Sequence, residues 1–173
     1  RLAGAALAER IRIDASQYVV ADAAAALGKV RADGAFDLLV ETLAKESHLD
    51  QIRQRVMDGL RELGDPRAVA IATKHLDYAL GKGIQHQLRK AALDCVTALA
   101  PNDPATRARL VVLLGDPYFR MKQWAADKCA ELKVMEALPA LEALAKDGVG
   151  PGVKESAKGA IERLTGKKDA PKK

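Results

Sequence analysis

Residues 50–79, DQIRQRVMDGLRELGDPRAVAIATKHLDYA, read as helix, turn, helix. Leu63-Gly64-Asp65-Pro66 closes one helix and opens the next. Gly64 suits the left-handed cap, Asp65 can cap orphan amides, and Pro66 fits the first helical position. Before the turn, Ile52, Val56, Leu60 and Leu63 share one helical face; after it, Val69, Ala72, Leu76 and Ala79 do the same. Each helix is apolar on one side only, so neither buries itself alone, and the chain answers by repeating the unit.

The repeat is visible as columns. Aligned on its last leucine, the second helix of each unit ends at Leu27, Leu63, Leu99, Leu132 and Leu164, at intervals of 36, 36, 33 and 32 residues. That period belongs to stacked helical repeats. Three positions upstream stand Ala24, Leu60, Val96, Cys129 and Ile161; seven upstream, Val20, Val56, Ala92, Ala125 and Ala157; eleven upstream, Ser16, Ile52, Leu88, Met121 and Val153. Offsets of three, seven and eleven fall on one helical face.

The spacing predicts helices over 1–12 (Leu2, Ala6, Leu7 and Ile11 inward), Ser16–Leu27, Gly34–Lys45, Asp50–Leu63, Arg67–Ala79, Ile84–Ala100, 103–114, Tyr118–Leu132, Glu136–Lys146 and Gly152–Leu164. Gly81-Lys82-Gly83 reads as a loose connection and Pro101-Asn102-Asp103-Pro104 as a strong break, with Asp103 and Pro104 starting the next helix. Gly115-Asp116-Pro117 is a second compact turn. The units run about 1–28, 34–64, 66–100, 104–132 and 136–166, forming one repeat domain over 1–166, and 167–173 is a basic tail too polar to pack.

Composition agrees. Of 173 residues, 49% are hydrophobic but only 3% aromatic, with Ala and Leu dominant, which suits closely packed helices better than a sheet. The apolar runs are a few residues long, too short for a membrane span or a secretory apolar stretch. The net charge of +5 includes +3 in the tail, leaving +2 elsewhere. The chain starts at Arg1, and the apolar residues 2–8 lack a polar outer face, so it reads as a piece of something longer with a neighbour upstream. Compartment is not legible.

Chemistry is nearly absent. His48, His75 and His86 lie on different segments without ligand spacing, and there is no His-Glu-x-x-His, phosphate-binding glycine loop or Gly-x-Ser-x-Gly elbow. Asp94 and Asp127 carry no mark of an acid–base pair. Cys95 and Cys129 read as buried free thiols. No catalytic, cofactor-binding or metal-ligating residue is expected.

One polar column does recur. Ten residues before each closing leucine stand Gln17, Arg53, Arg89, Lys122 and Lys154, roughly 80° from the centre of the apolar stripe. It is either a basic ridge for phosphates or an acidic partner, or a ladder that pairs with turn carboxylates such as Asp50, Asp65 and Asp116. The recurrence of acids in the turns favours the ladder. Trp124, near Tyr118 and Phe119, is an edge aromatic that serves packing or anchors an interface.

The unit anatomy resembles HEAT repeats, carried by ADAAAALGK (Ala21–Lys29), LRELGDPRAV (Leu60–Val69) and RKAALDCVTAL (Arg89–Leu99). That resemblance implies an all-α, right-handed α-solenoid of about five HEAT-like hairpins. More narrowly, ESHLDQIRQRVMDGLRELGDPRAV and HLDYALGKGIQHQLRKAALDCVTALAP resemble the C-terminal HEAT-like region of bacterial aminopeptidase N-like zinc metallopeptidases. In that family the zinc ligands and a Gly-x-Met-Glu-Asn segment sit in an upstream thermolysin-like domain, which the helical region packs against. The resemblance therefore implies a non-catalytic chain whose partner is that catalytic domain, with peptide substrate met only in the full-length context. A stand-alone protein-interaction scaffold is the alternative. A third, nucleic-acid binding as in HEAT-like alkylpurine DNA glycosylases, needs a concentrated basic face, and +2 outside the tail is thin.

Overall fold

The computed structural model describes residues 2–78 and 86–166, and within them every regular element is helical. The chain divides into two compact units, Arg1–Ala100 and Pro101–Lys173, at the proline-rich break. No helix among the described residues is long and apolar enough to cross a membrane. The expected Gly81–Gly83 connection, Ala79, Ile84 and the tail lie outside the described residues, as does Arg1.

The first unit holds α1 (Leu2–Ile13), α2 (Gln17–Val30), α3 (Ala35–Thr42), α4 (Gln51–Leu63), α5 (Ala68–Thr73) and α6 (His86–Leu99). Helices α1 and α2, α3 and α4, and α5 and α6 pack as pairs, while α2 packs on α4 and α4 on α6. The predicted columns are the core: Val20, Ala24, Ile52, Val56, Leu60, Leu88, Ala92 and Val96 are all buried.

The α2–α4 crossing is the tightest. Helix α2 is Ala-rich because it is covered on several sides, by α1, α3 and α4. Ala21, Ala23, Ala24, Ala25 and Gly28 are all buried. A Cβ on Gly28 would overlap the Gly59 carbonyl, and one on Gly59 would stand 2.5 Å from the Ala24 carbonyl oxygen. The two backbones touch, which only glycine allows at these positions.

The Leu63–Pro66 turn forms, but the helix after it begins at Ala68 with Arg67 as its cap residue, so Pro66 lies in the turn rather than at the first helical position. Gly64 adopts φ 80°, its amide returning to the Leu60 carbonyl. The Asp65 carboxylate accepts from the Arg67 amide at 2.9 Å. The residues after the turn differ from expectation, because α5 is only six residues long. Val69, Ile71 and Thr73 are poor helix formers, and the following amides, His75 and Leu76, bond three residues back, to Ala72 and Thr73. Leu76 still reaches the core.

Helix α1 also departs from its predicted face. Leu2 is 91% exposed and Ala6 is exposed, whereas Gly4 and Ile11 are buried. Gly4 lies against Ala32, where a Cβ would come within 2.5 Å of the alanine methyl. This close approach turns Gly4, not Leu2 and Ala6, toward the neighbouring helices. Helix α4 starts one residue later than expected, because Leu49 and Asp50 are both left-handed, at φ 52° and 56°.

The second unit holds α7 (Pro104–Leu113), α8 (Phe119–Glu131), α9 (Leu138–Asp147) and α10 (Val153–Thr165). Asp103 caps α7 through the Ala105 amide with Pro104 in the first turn, and Asp116 holds the Tyr118 amide at 2.9 Å ahead of α8. A short 3-10 turn, Met135–Ala137, replaces the expected first turn of α9. Helix α8 packs on α7 and α10, and α9 on α10, around Leu110, Met121, Ala125, Leu141 and Ala157.

Candidate interaction surface

Two members of the polar column, Arg53 and Arg89, bond main-chain carbonyls in the segment before their own helix. Arg53 Nε donates to the Leu43 carbonyl at 2.9 Å, just past α3, and Nη1 to Asp50 at 3.0 Å. Arg89, only 3% exposed, donates from Nε and Nη2 to the Leu76 carbonyl at 3.0 and 2.7 Å. A cation at a helix C-terminus satisfies an orphan carbonyl and meets the negative end of the helix dipole. Gln17 accepts the His48 amide at 2.7 Å. Lys122 is half-buried and Lys154 exposed.

The acceptors are thus mainly main-chain carbonyls rather than turn carboxylates. Asp50 does pair with Arg53, but Asp65 forks Arg67, whose guanidinium sits 3.8 Å from the Phe36 ring centroid. These bonds hold Asp65 below and Arg67 above their ordinary pKa values. Arg53 and Arg89 thus direct donors onto main-chain carbonyls of the segment before them.

Trp124 is half-buried and meets Tyr118 edge-on, with centroids 6.2 Å apart; Tyr118 in turn meets Phe119 at 5.3 Å. The three rings knit the start of α8. Cys95 and Cys129 are fully buried, and that burial pushes each thiol up to about 12. Asp94 pairs with Lys90 and Asp127 with Arg163, each at 2.6 Å. No group of three or more His, Cys, Asp or Glu among the described residues is placed to hold a metal ion.

What the sequence reading missed is an apolar edge on the first unit. The connections from α1 to α2 and from α3 to α4 are clasped together, by the Gln17–His48 bond and by Lys45 Nζ on the Ile11 carbonyl at 2.7 Å. The end of α5 lies beside them. His75 feels Arg53, Asp50 and Lys74, and burial first, then those cations, hold its pKa below the ordinary value. Along this edge stand Ile13 (68% exposed), Tyr18 (58%), Leu49 (65%) and Tyr78 (41%). The Arg89 guanidinium lies 5.5 Å from the Tyr78 ring, linking the edge to the Leu76 carbonyl that Arg89 bonds.

Leu49 is the informative member. A left-handed conformation costs a branched residue roughly 1–2 kcal/mol, yet here it keeps an aliphatic side chain in water. The available signal was an apolar residue stranded among turn formers, in ESHLDQ and in IRIDASQY. No family model matches the chain, and no curated protein matches it.

Proposed function

We propose that the chain is a non-catalytic α-solenoid of HEAT-like hairpins that docks on another protein domain through the connection edge of its first unit. The observation that carries this reading is Leu49, exposed in a strained conformation next to the Gln17–His48 bond that ties the two connections. Strain retained to expose an apolar side chain is explained by a partner that buries it. Arg53 and Arg89, which bond main-chain carbonyls of the preceding segment from the same register, support the repeat architecture.

The resemblance names the partner as the catalytic domain of a zinc aminopeptidase, the helical repeats forming a wall that limits which peptides reach the metal. On this reading the isolated chain hydrolyses no aminoacyl substrate and carries no stoichiometric zinc. The test is the open reading frame upstream of Arg1. A Gly-x-Met-Glu-Asn segment, then His-Glu-x-x-His and a distal Glu, supports the aminopeptidase context. A start codon immediately before Arg1 rejects it and leaves the stand-alone scaffold. Stoichiometric metal by elemental analysis of the chain would also overturn it.

A further inference from the structure

The second unit carries a groove of about 440 Å³ between the C-terminal halves of α7 and α9. Its volume falls within the roughly 300–1,000 Å³ of ligand clefts. The groove exists because α9 turns Ala140 and Ala143 toward Val111, Val112 and Leu114 on the α7 side, so small side chains face larger ones without filling the gap. Val112 (62% exposed) and Val149 (78%) stand at its mouth.

Lys122 lines the same groove beside Leu114 and Gly115. It occupies the register of Arg53 and Arg89, but those two bond main-chain carbonyls of the segment before them. Lys122 has no side-chain hydrogen bond or ion pair among the described residues. The residue is half-buried in a mostly apolar lining, where a carboxylate brought alongside its ammonium interacts more strongly than it would in bulk water. Asp147, on the α9 side of the groove, repels an acid placed there and so fixes which end of a ligand meets Lys122.

We infer that this groove receives a protein segment presenting aliphatic side chains with one carboxylate beside them, the acid against Lys122 Nζ. The site lies in the second unit and does not depend on the docking edge of the first.

The probe is the blocked peptide acetyl-Leu-Leu-Glu-Leu-amide, titrated into the full chain and followed by methyl NMR shifts. Saturable shifts are expected at Val112, Leu114, Leu144 and Val149. The peptide with Gln in place of Glu should bind roughly three- to tenfold more weakly, the size of one partly desolvated ion pair. Lys122→Gln should remove that difference while leaving affinity for the Gln peptide unchanged. Lys122→Glu should reverse it, favouring acetyl-Leu-Leu-Lys-Leu-amide. If Lys122→Gln lowers the melting temperature, Lys122→Met serves in its place.

Equal affinity of the Glu and Gln peptides for the wild-type chain overturns the inference, as do shifts confined to other residues. A concentration-dependent dimer broken by Val112→Glu would mean that a second copy fills the groove, and would overturn it too.

Discussion

The glycine pair at the α2–α4 crossing gives the sharpest test of how the first unit holds together. Gly28→Ala places a methyl group into the Gly59 carbonyl, which is backbone and cannot swing aside, so the helices must separate. Overpacking of this kind costs about 1–3 kcal/mol, and a forced backbone shift belongs at the upper end. Alanine returns about 1 kcal/mol through its better helix propensity. The net expectation is a loss of about 2 kcal/mol. At about 4–8 °C per kcal/mol for a domain of this size, the first unit should melt about 8–16 °C lower. Gly159→Ala in α10 is the control, because nothing lies within 4 Å of its Cβ position. There only the propensity gain operates, and the second unit should gain about 0.5–1 kcal/mol. Thermal and urea melts followed by circular dichroism read both units, and fluorescence of Trp124 reads the second. A Gly28→Ala chain as stable as wild type would refute the backbone contact.

Four further outcomes are expected. Arg89→Met should destabilise the first unit by about 1–3 kcal/mol in urea melts, because it leaves the Leu76 carbonyl unsatisfied. Leu49→Gly relieves the left-handed strain and should leave the first unit level or about 1 kcal/mol more stable, while weakening docking to the partner. His75 has a lowered pKa when folded, so the unfolded chain takes up its proton first as pH falls. Its contribution is intact above the ordinary value of about 6.5 and is lost between there and the lower folded value. His75→Gln should flatten that part of the stability–pH profile. The two thiols, raised to about 12 and fully buried, should react with a disulfide reagent at pH 8 only through unfolding, so the reaction rate follows denaturant concentration.

The fold was legible where local chemistry and burial agree. Gly64 caps α4 as its residue type requires, and the positions three, seven and eleven before each closing leucine supply buried side chains from Val20 to Ala157, with Ser16 and Ile161 only half-buried. The readings that failed depended on distant neighbours. Leu2 looked inward by periodicity, but the contact of Gly4 with Ala32 decides which face of α1 is covered. Helix α5 stops early because its β-branched residues favour the helix weakly, leaving the carbonyl that Arg89 bonds across 13 positions in sequence. The acceptors that Arg53 and Arg89 meet were not readable. A main-chain carbonyl belongs to every residue and leaves no mark in the sequence. The apolar edge was missed for a related reason: a turn leucine has no period, and its exposure follows from a left-handed backbone that leucine rarely adopts.

The central claim is that the first unit docks on another protein domain through its connection edge. Placing the photo-crosslinking residue p-benzoylphenylalanine at Leu49 in the native host tests it most directly, with Glu142, exposed on α9 of the second unit, as the control position. The account predicts strong crosslinks from position 49 alone, mapping by mass spectrometry to a domain that carries His-Glu-x-x-His. Crosslinks no stronger at position 49 than at position 142 would contradict it.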